Sequence, residues 1–248
     1  MGRISETVKV LVIINVLFFV GTLILGDTAY RLFSLYFFES DNFRVWQIIT
    51  HMFMHGGFMH ILFNMYALWV FGSPIEETLG KGKFIFFYFA AGIGAALLHS
   101  LVNYFQFQEG YNALLNAGMD PQGIQQILET GSYPTAVLDS VPSGMLQEFY
   151  MSYNTHAVGA SGAIYGILVA FGMLFPNVEL FLIFVPVPIK AKYFIPALIA
   201  IDLFSGFTGF SIFGGGIAHF AHVGGALFGF IMMWYWKKNQ FNQNRWDQ

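Results

Sequence analysis

A chain of 248 residues with 56% hydrophobic residues, 10% charged residues and 30 Phe lies outside the range of water-soluble domains, where charged residues run near a quarter; it reads as a membrane protein. Its 11 Lys and Arg against 14 Asp and Glu give a formal charge of -3 with no basic block, which disfavours nucleic acid as a partner, because that binding draws its affinity from clustered cations. The absence of Cys removes disulfides, thiolate nucleophiles and Cys-ligated metal sites.

A hydrocarbon core about 30 Å thick needs roughly 20 apolar residues in a helix. Such runs fall near residues 8–26, 52–71, 84–102, 157–175, 193–207 and 216–236. The first has Arg3 and Lys9 at its start but no small-x-small cleavage site behind it, so it reads as a span and not as a removed leader. Lys and Arg collect in cytoplasmic loops. Arg3, Lys9, Lys81, Lys83, Lys190, Lys192, Lys237, Lys238 and Arg245 all fall on one side of a six-span arrangement, and only Arg31 and Arg44 on the other. Both termini are therefore expected in the cytoplasm, with spans two, four and six entering from the outer face.

The connection over 103–156 carries five acids (Glu109, Asp120, Glu129, Asp139 and Glu148) and no base, and the orientation places it outside. It is too long for a bare loop. Pro121 to Glu129, with Ile124, Ile127 and Leu128 on one side, has the spacing of a short surface helix.

Polar groups inside a bilayer are costly, so each is a functional candidate. The second run carries His51, His55, His60 and Asn64, the third His99, the fourth Ser161, the fifth Asp202, and the sixth His219 and His222. Gly159-Ala160-Ser161-Gly162 sets a hydroxyl among small residues at the start of a helix, where backbone N–H groups are unpaired and a substrate backbone can come close. An acyl-transfer nucleophile with an oxyanion hole needs those features. Helix packing also uses Gly and Ser in this way, and Gly162 and Gly166 are four apart. A serine needs a base, and His222 in Ala221-His222-Val223-Gly224-Gly225 lies at a depth of roughly 6 to 10 Å, similar to that of Ser161. Ala221, Gly225 and Gly229 form a smooth stripe beside it. Tyr165 lies one turn below Ser161, facing the imidazole. His60 and Asn64, at i and i+4, offer donors to a developing oxyanion, or else interhelical hydrogen bonds. A metal at His51, His55 and His60 is disfavoured, since no acid and no His-Glu-x-x-His signature accompanies them.

Together these segments resemble the rhomboid family of intramembrane serine proteases. Thr50 to Asn64 is similar to the family's His-x-x-x-Asn region with its preceding histidines, Gly159 to Gly162 to the nucleophile motif, Tyr165 to the tyrosine one turn on, Ala221 to Gly225 to the motif carrying the base, and Glu76 to a further family position. The resemblance implies an all-α membrane protein, a six-transmembrane helix bundle forming one membrane domain over 1–248, with 103–156 as an extracytoplasmic insertion between spans three and four. It further implies a serine endopeptidase that cleaves transmembrane segments with a Ser161–His222 dyad. Asn64, His60 and the Ser161 backbone N–H would hold the oxyanion, and Tyr165, Gly159 and Gly162 would support the site. No cofactor and no metal is implied. The partners are transmembrane protein substrates and the lipid bilayer, in a bacterial inner membrane; the motifs do not specify the substrate or the oligomeric state.

Two features depart from the family. Trp46-Gln47 stands where many members carry Trp-Arg, and the acidic insertion exceeds what a minimal member needs. Because the family works with a dyad, Asp202 is expected to be structural. Competing readings are a silent relative that escorts transmembrane helices, which would have lost the nucleophile or base that this chain retains, and a transporter relaying protons through His99, Asp202 and the second run.

Overall fold

The computed structural model describes residues 3–182, 185–210 and 217–243; Arg245, counted above among the basic residues, lies outside them. Four helical stretches among the described residues are long and apolar enough to cross a membrane: Glu6–Leu25 (α1), Phe58–Leu79, Lys81–Asn116 (α6) and Ala191–Thr208 (α10). α1 is apolar all round yet buries a stripe, Thr7, Val8, Leu11, Asn15 and Thr22. Its opposite face leaves Leu17, Leu23 and Ile24 exposed by 64%, 70% and 77%. Such a face requires an apolar solvent, which is the bilayer.

The second helical stretch begins later than the apolar run suggests. Gln47–Thr50 (α3) and a 3-10 turn at His51–Phe53 lead into extended backbone at Met54, and helix resumes only after Gly57, as Phe58–Ala67 (α4), a π-turn at Leu68–Gly72 and Ser73–Leu79 (α5). His51 and His55 therefore lie in the approach to the span, which corrects their expected place on it. At its far end Glu76 is buried and accepts from the backbone N–H groups of Thr7 and Val8, each at 3.1 Å, and from the Ser5 hydroxyl. A carboxylate there satisfies unpaired donors of the first turn of α1 and complements its dipole.

The loop before α3 contains Asp27–Phe33 (α2) and Leu35–Tyr36 (β1). The side chain of Gln47, fully buried, ties this loop together. Its Nε2 donates to the carbonyls of Arg31 and Asn42, both at 2.9 Å, and its Oε1 accepts from Arg44 N–H at 3.1 Å. A neutral amide is both donor and acceptor, so it meets this pattern without burying a charge.

α6 continues well beyond the expected third span, for 36 residues or about 54 Å. Its last turns carry Phe107 and Leu114, which join Phe37, Ile124, Ile127, Leu128, Leu146 and Phe149 in a core of their own. The helices closing that core are Pro121–Thr130 (α7), capped by Asp120 Oδ1 on Gly123 N–H at 2.8 Å, and Ser143–Asn154 (α8). After α8, His156–Ala157 (β2) pairs antiparallel with β1, Leu35 opposite Ala157 and Tyr36 opposite His156. That pairing anchors the entry to Ser161–Leu174 (α9).

A hairpin of Glu179–Leu182 (β3) and Val185–Lys190 (β4) joins α9 to α10. These two short sheets qualify the all-α expectation, although helices dominate. The last element is His219–Gln243 (α11).

Candidate active site

α6, α9 and α11 meet through small residues. A Cβ on Gly225 would fall 1.8 Å from Gly162 O, one on Gly229 2.6 Å from Gly166 Cα, and one on Gly162 2.4 Å from Ala95 Cβ. Backbones this close bring even short side chains within reach across the interface.

α9 starts at Ser161 and α11 at His219, so both motif residues sit in the first turns of their helices. His222 Nε2 lies 2.8 Å from Ser161 Oγ. The Tyr165 ring lies nearly parallel to the His222 ring, with centroids 4.2 Å apart at an interplanar angle of 13°. Stacking of this kind holds the imidazole in one plane.

His60 approaches from α4. A Cβ on Gly159 would lie 2.8 Å from His60 Nε2 and 3.5 Å from Ser161 Oγ, so glycine is what lets this ring come up beside the hydroxyl. His60 Nδ1 faces Gly56 N–H at 3.3 Å and accepts from it, which leaves Nε2 as the protonated, donating nitrogen. One turn on, Asn64 is buried, and among the described residues its Nδ2 meets no acceptor. Buried amide donors are normally satisfied, and an unpaired one is open to a ligand oxygen. The Ser161 N–H belongs to the unpaired first turn of α9.

Three further histidines contact groups on their own segments. His51 Nδ1 lies 2.8 Å from Gln47 O, His55 Nδ1 3.3 Å from Phe53 O, and His99 Nε2 3.4 Å from Asn103 Nδ2. Asp202, expected to be structural, packs against two histidines of α11 and against Tyr165. Its Oδ1 stands 3.1 Å from His222 Nδ1 and 2.6 Å from His219 Nδ1, and its Oδ2 accepts from the Tyr165 hydroxyl. Sequence spacing shows only that Asp202 is an intramembrane acid; the rotation of α10 that turns it toward α11 is a tertiary fact.

A model of the Rhomboid domain matches residues 42–117 and 124–239. The chain belongs to the rhomboid family. Rhomboid protease GlpG of Salmonella choleraesuis (strain SC-B67) is 36% identical over 84 residues, 34% of this chain and 30% of that relative. The GlpG proteins of Salmonella newport (strain SL254) and Salmonella heidelberg (strain SL476) are 35% identical over the same shares. The match thus spans 30% of the length of these curated relatives.

Proposed function

We propose that this rhomboid-family chain is an intramembrane serine endopeptidase, acting by a Ser161–His222 dyad on transmembrane segments of other proteins. The observation that carries the reading is the 2.8 Å approach of His222 Nε2 to Ser161 Oγ, within the reach a general base needs. The names of the relatives add support.

In the first step Ser161 Oγ attacks the scissile carbonyl carbon while its proton passes to His222 Nε2. The carbonyl oxygen becomes an oxyanion, held by the Ser161 N–H, Asn64 Nδ2 and His60 Nε2–H. Collapse breaks the C–N bond, and the proton on His222 goes to the leaving nitrogen. Water then attacks the Ser161 ester, His222 takes its proton, and the carboxylate product leaves with the hydroxyl restored.

In this reading six helices cross the membrane, with α9 and α11 joining the four apolar stretches described above, and both termini are cytoplasmic in a bacterial inner membrane. α9 has 14 residues, about 21 Å, which is shorter than the hydrocarbon core. Its small and apolar residues from Gly162 to Phe171 are buried among the other helices, so it need not match the lipid thickness. A short central helix recesses Ser161 below the outer surface, and residues 103–156 form an extracytoplasmic insertion beside that recess.

Cleavage of a single-span substrate in proteoliposomes tests the reading. Ser161→Ala, His222→Ala and the double variant are expected to share one low residual rate, because nucleophile and base act as a unit. Wild-type cleavage by Ser161→Ala would remove the protease reading.

A further inference from the structure

Asp202 is 3% exposed in the midst of α9, α10 and α11, and a buried carboxylate near the bilayer is retained only where donors compensate for its lost hydration. Three donors converge on it. Tyr165 OH meets Oδ2, while His219 Nδ1 at 2.6 Å and His222 Nδ1 at 3.1 Å meet Oδ1. An ionised carboxylate only accepts, so each of the three must present its hydrogen. That requirement sets the tautomer of His222: Nδ1 carries the proton, and the bare Nε2 points at Ser161 Oγ 2.8 Å away. Tyr165 fixes the same ring twice, by stacking on its face at 4.2 Å and by holding the other oxygen of the acid behind it.

We propose that Asp202 is a positioning residue for the base, so that this chain works with a Ser161–His222–Asp202 line in place of a bare dyad. The inference rests on the protease reading. It assigns Asp202 no contact with substrate. Its part is to keep His222 in the accepting tautomer and orientation, and to stabilise the imidazolium formed when the Ser161 proton moves to Nε2. His219, the first residue of α11, closes the donor ring and leaves the Oδ1 hydrogen-bond sites filled.

The alternative is that Asp202 only ties α10 to its neighbours. Kinetics on the full chain in proteoliposomes separates the two, with enzyme counted by folded protein and thermal midpoints measured alongside. Asp202→Asn keeps the volume but offers an amide that can donate to Nδ1 and turn the proton onto Nε2. It should lower kcat by roughly 10² to 10⁴ fold, the scale of a wrong-tautomer defect, with KM little changed. Asp202→Glu should recover part of that loss. Tyr165→Phe removes one hydroxyl without opening a cavity and should lower kcat by about tenfold. In the Asp202→Asn background it should cost nothing further, since the two act through one group. A lowered midpoint with wild-type kcat per folded Asp202→Asn, while Ser161→Ala is inactive, would overturn the positioning role and leave the protease reading standing. Additive losses in the double variant would also overturn it. Cleavage by Ser161→Ala would remove both.

Discussion

At Gly159 the backbone takes φ +124°, and a Cβ would stand 2.8 Å from His60 Nε2. Both the conformation and the space require glycine. Gly159→Ala is expected to destabilise the protein by about 1–3 kcal/mol, and to displace His60 from the hydroxyl, lowering turnover in the folded fraction. An unchanged thermal midpoint and rate would refute that account. Asn64 makes a sharper case, because its Nδ2 is buried without an acceptor among the described residues. Asn64→Ala should reduce kcat by roughly 10² to 10³ fold, the usual effect of losing one oxyanion donor, while the fold survives. If the variant unfolds in detergent and shows no separate rate defect, Asn64 is an interhelical strut instead. As candidates, Ser161, His222, Tyr165 and His60 were legible because each lies in a short motif whose chemistry can be argued locally. Asp202 was not, since its partners are 37, 20 and 17 residues away and helix rotation decides which neighbour it meets.

Among the elements, the contact of α9 with α11 sets the distance between Ser161 and His222. Gly225→Ala puts a methyl group 1.8 Å from Gly162 O, whereas a Cβ on Gly82 of α6 meets nothing within 4 Å. Overpacking of a tight contact costs about 1–3 kcal/mol. Gly225→Ala should therefore lower both thermal midpoint and cleavage rate, and Gly82→Ala should be neutral or slightly stabilising. Equal behaviour of the two would contradict a backbone-limited interface. The apolar runs located the helices but not their ends. Gly56-Gly57 broke the second run in a way hydropathy does not register, and α6 continued past its apolar portion because Phe107 and Leu114 are buried by α7 and α8. The β1–β2 pair was invisible, since a two-residue ladder leaves no period to read.

At the scale of the whole molecule, a mostly lipid-facing bundle carries a separately cored unit next to the entry of α9. Glu109, Glu129, Asp139 and Glu148 are all exposed on it, as is Asp120, which also caps α7. Charge in water is screened over about 8 Å at physiological ionic strength, so only acids near the entrance can act on a substrate. Replacing the four non-capping acids with their amides should shift relative cleavage toward substrates with acidic outer flanks, more at low salt than at high. Identical relative rates at both would show that the unit does not select by charge. Removing 110–143 outright is a poorer test, because Gly110 packs on Phe149 and the deletion would expose the core.

The proposed chemistry depends on His222 activating Ser161 within the folded bundle. Labelling the purified protein with a serine-reactive fluorophosphonate, and locating the adduct by mass spectrometry, tests it most directly. Modification of the wild type at Ser161 is expected, and none in Ser161→Ala or His222→Ala. A folded wild-type protein that stays unlabelled, or one that is labelled equally well without His222, would contradict it.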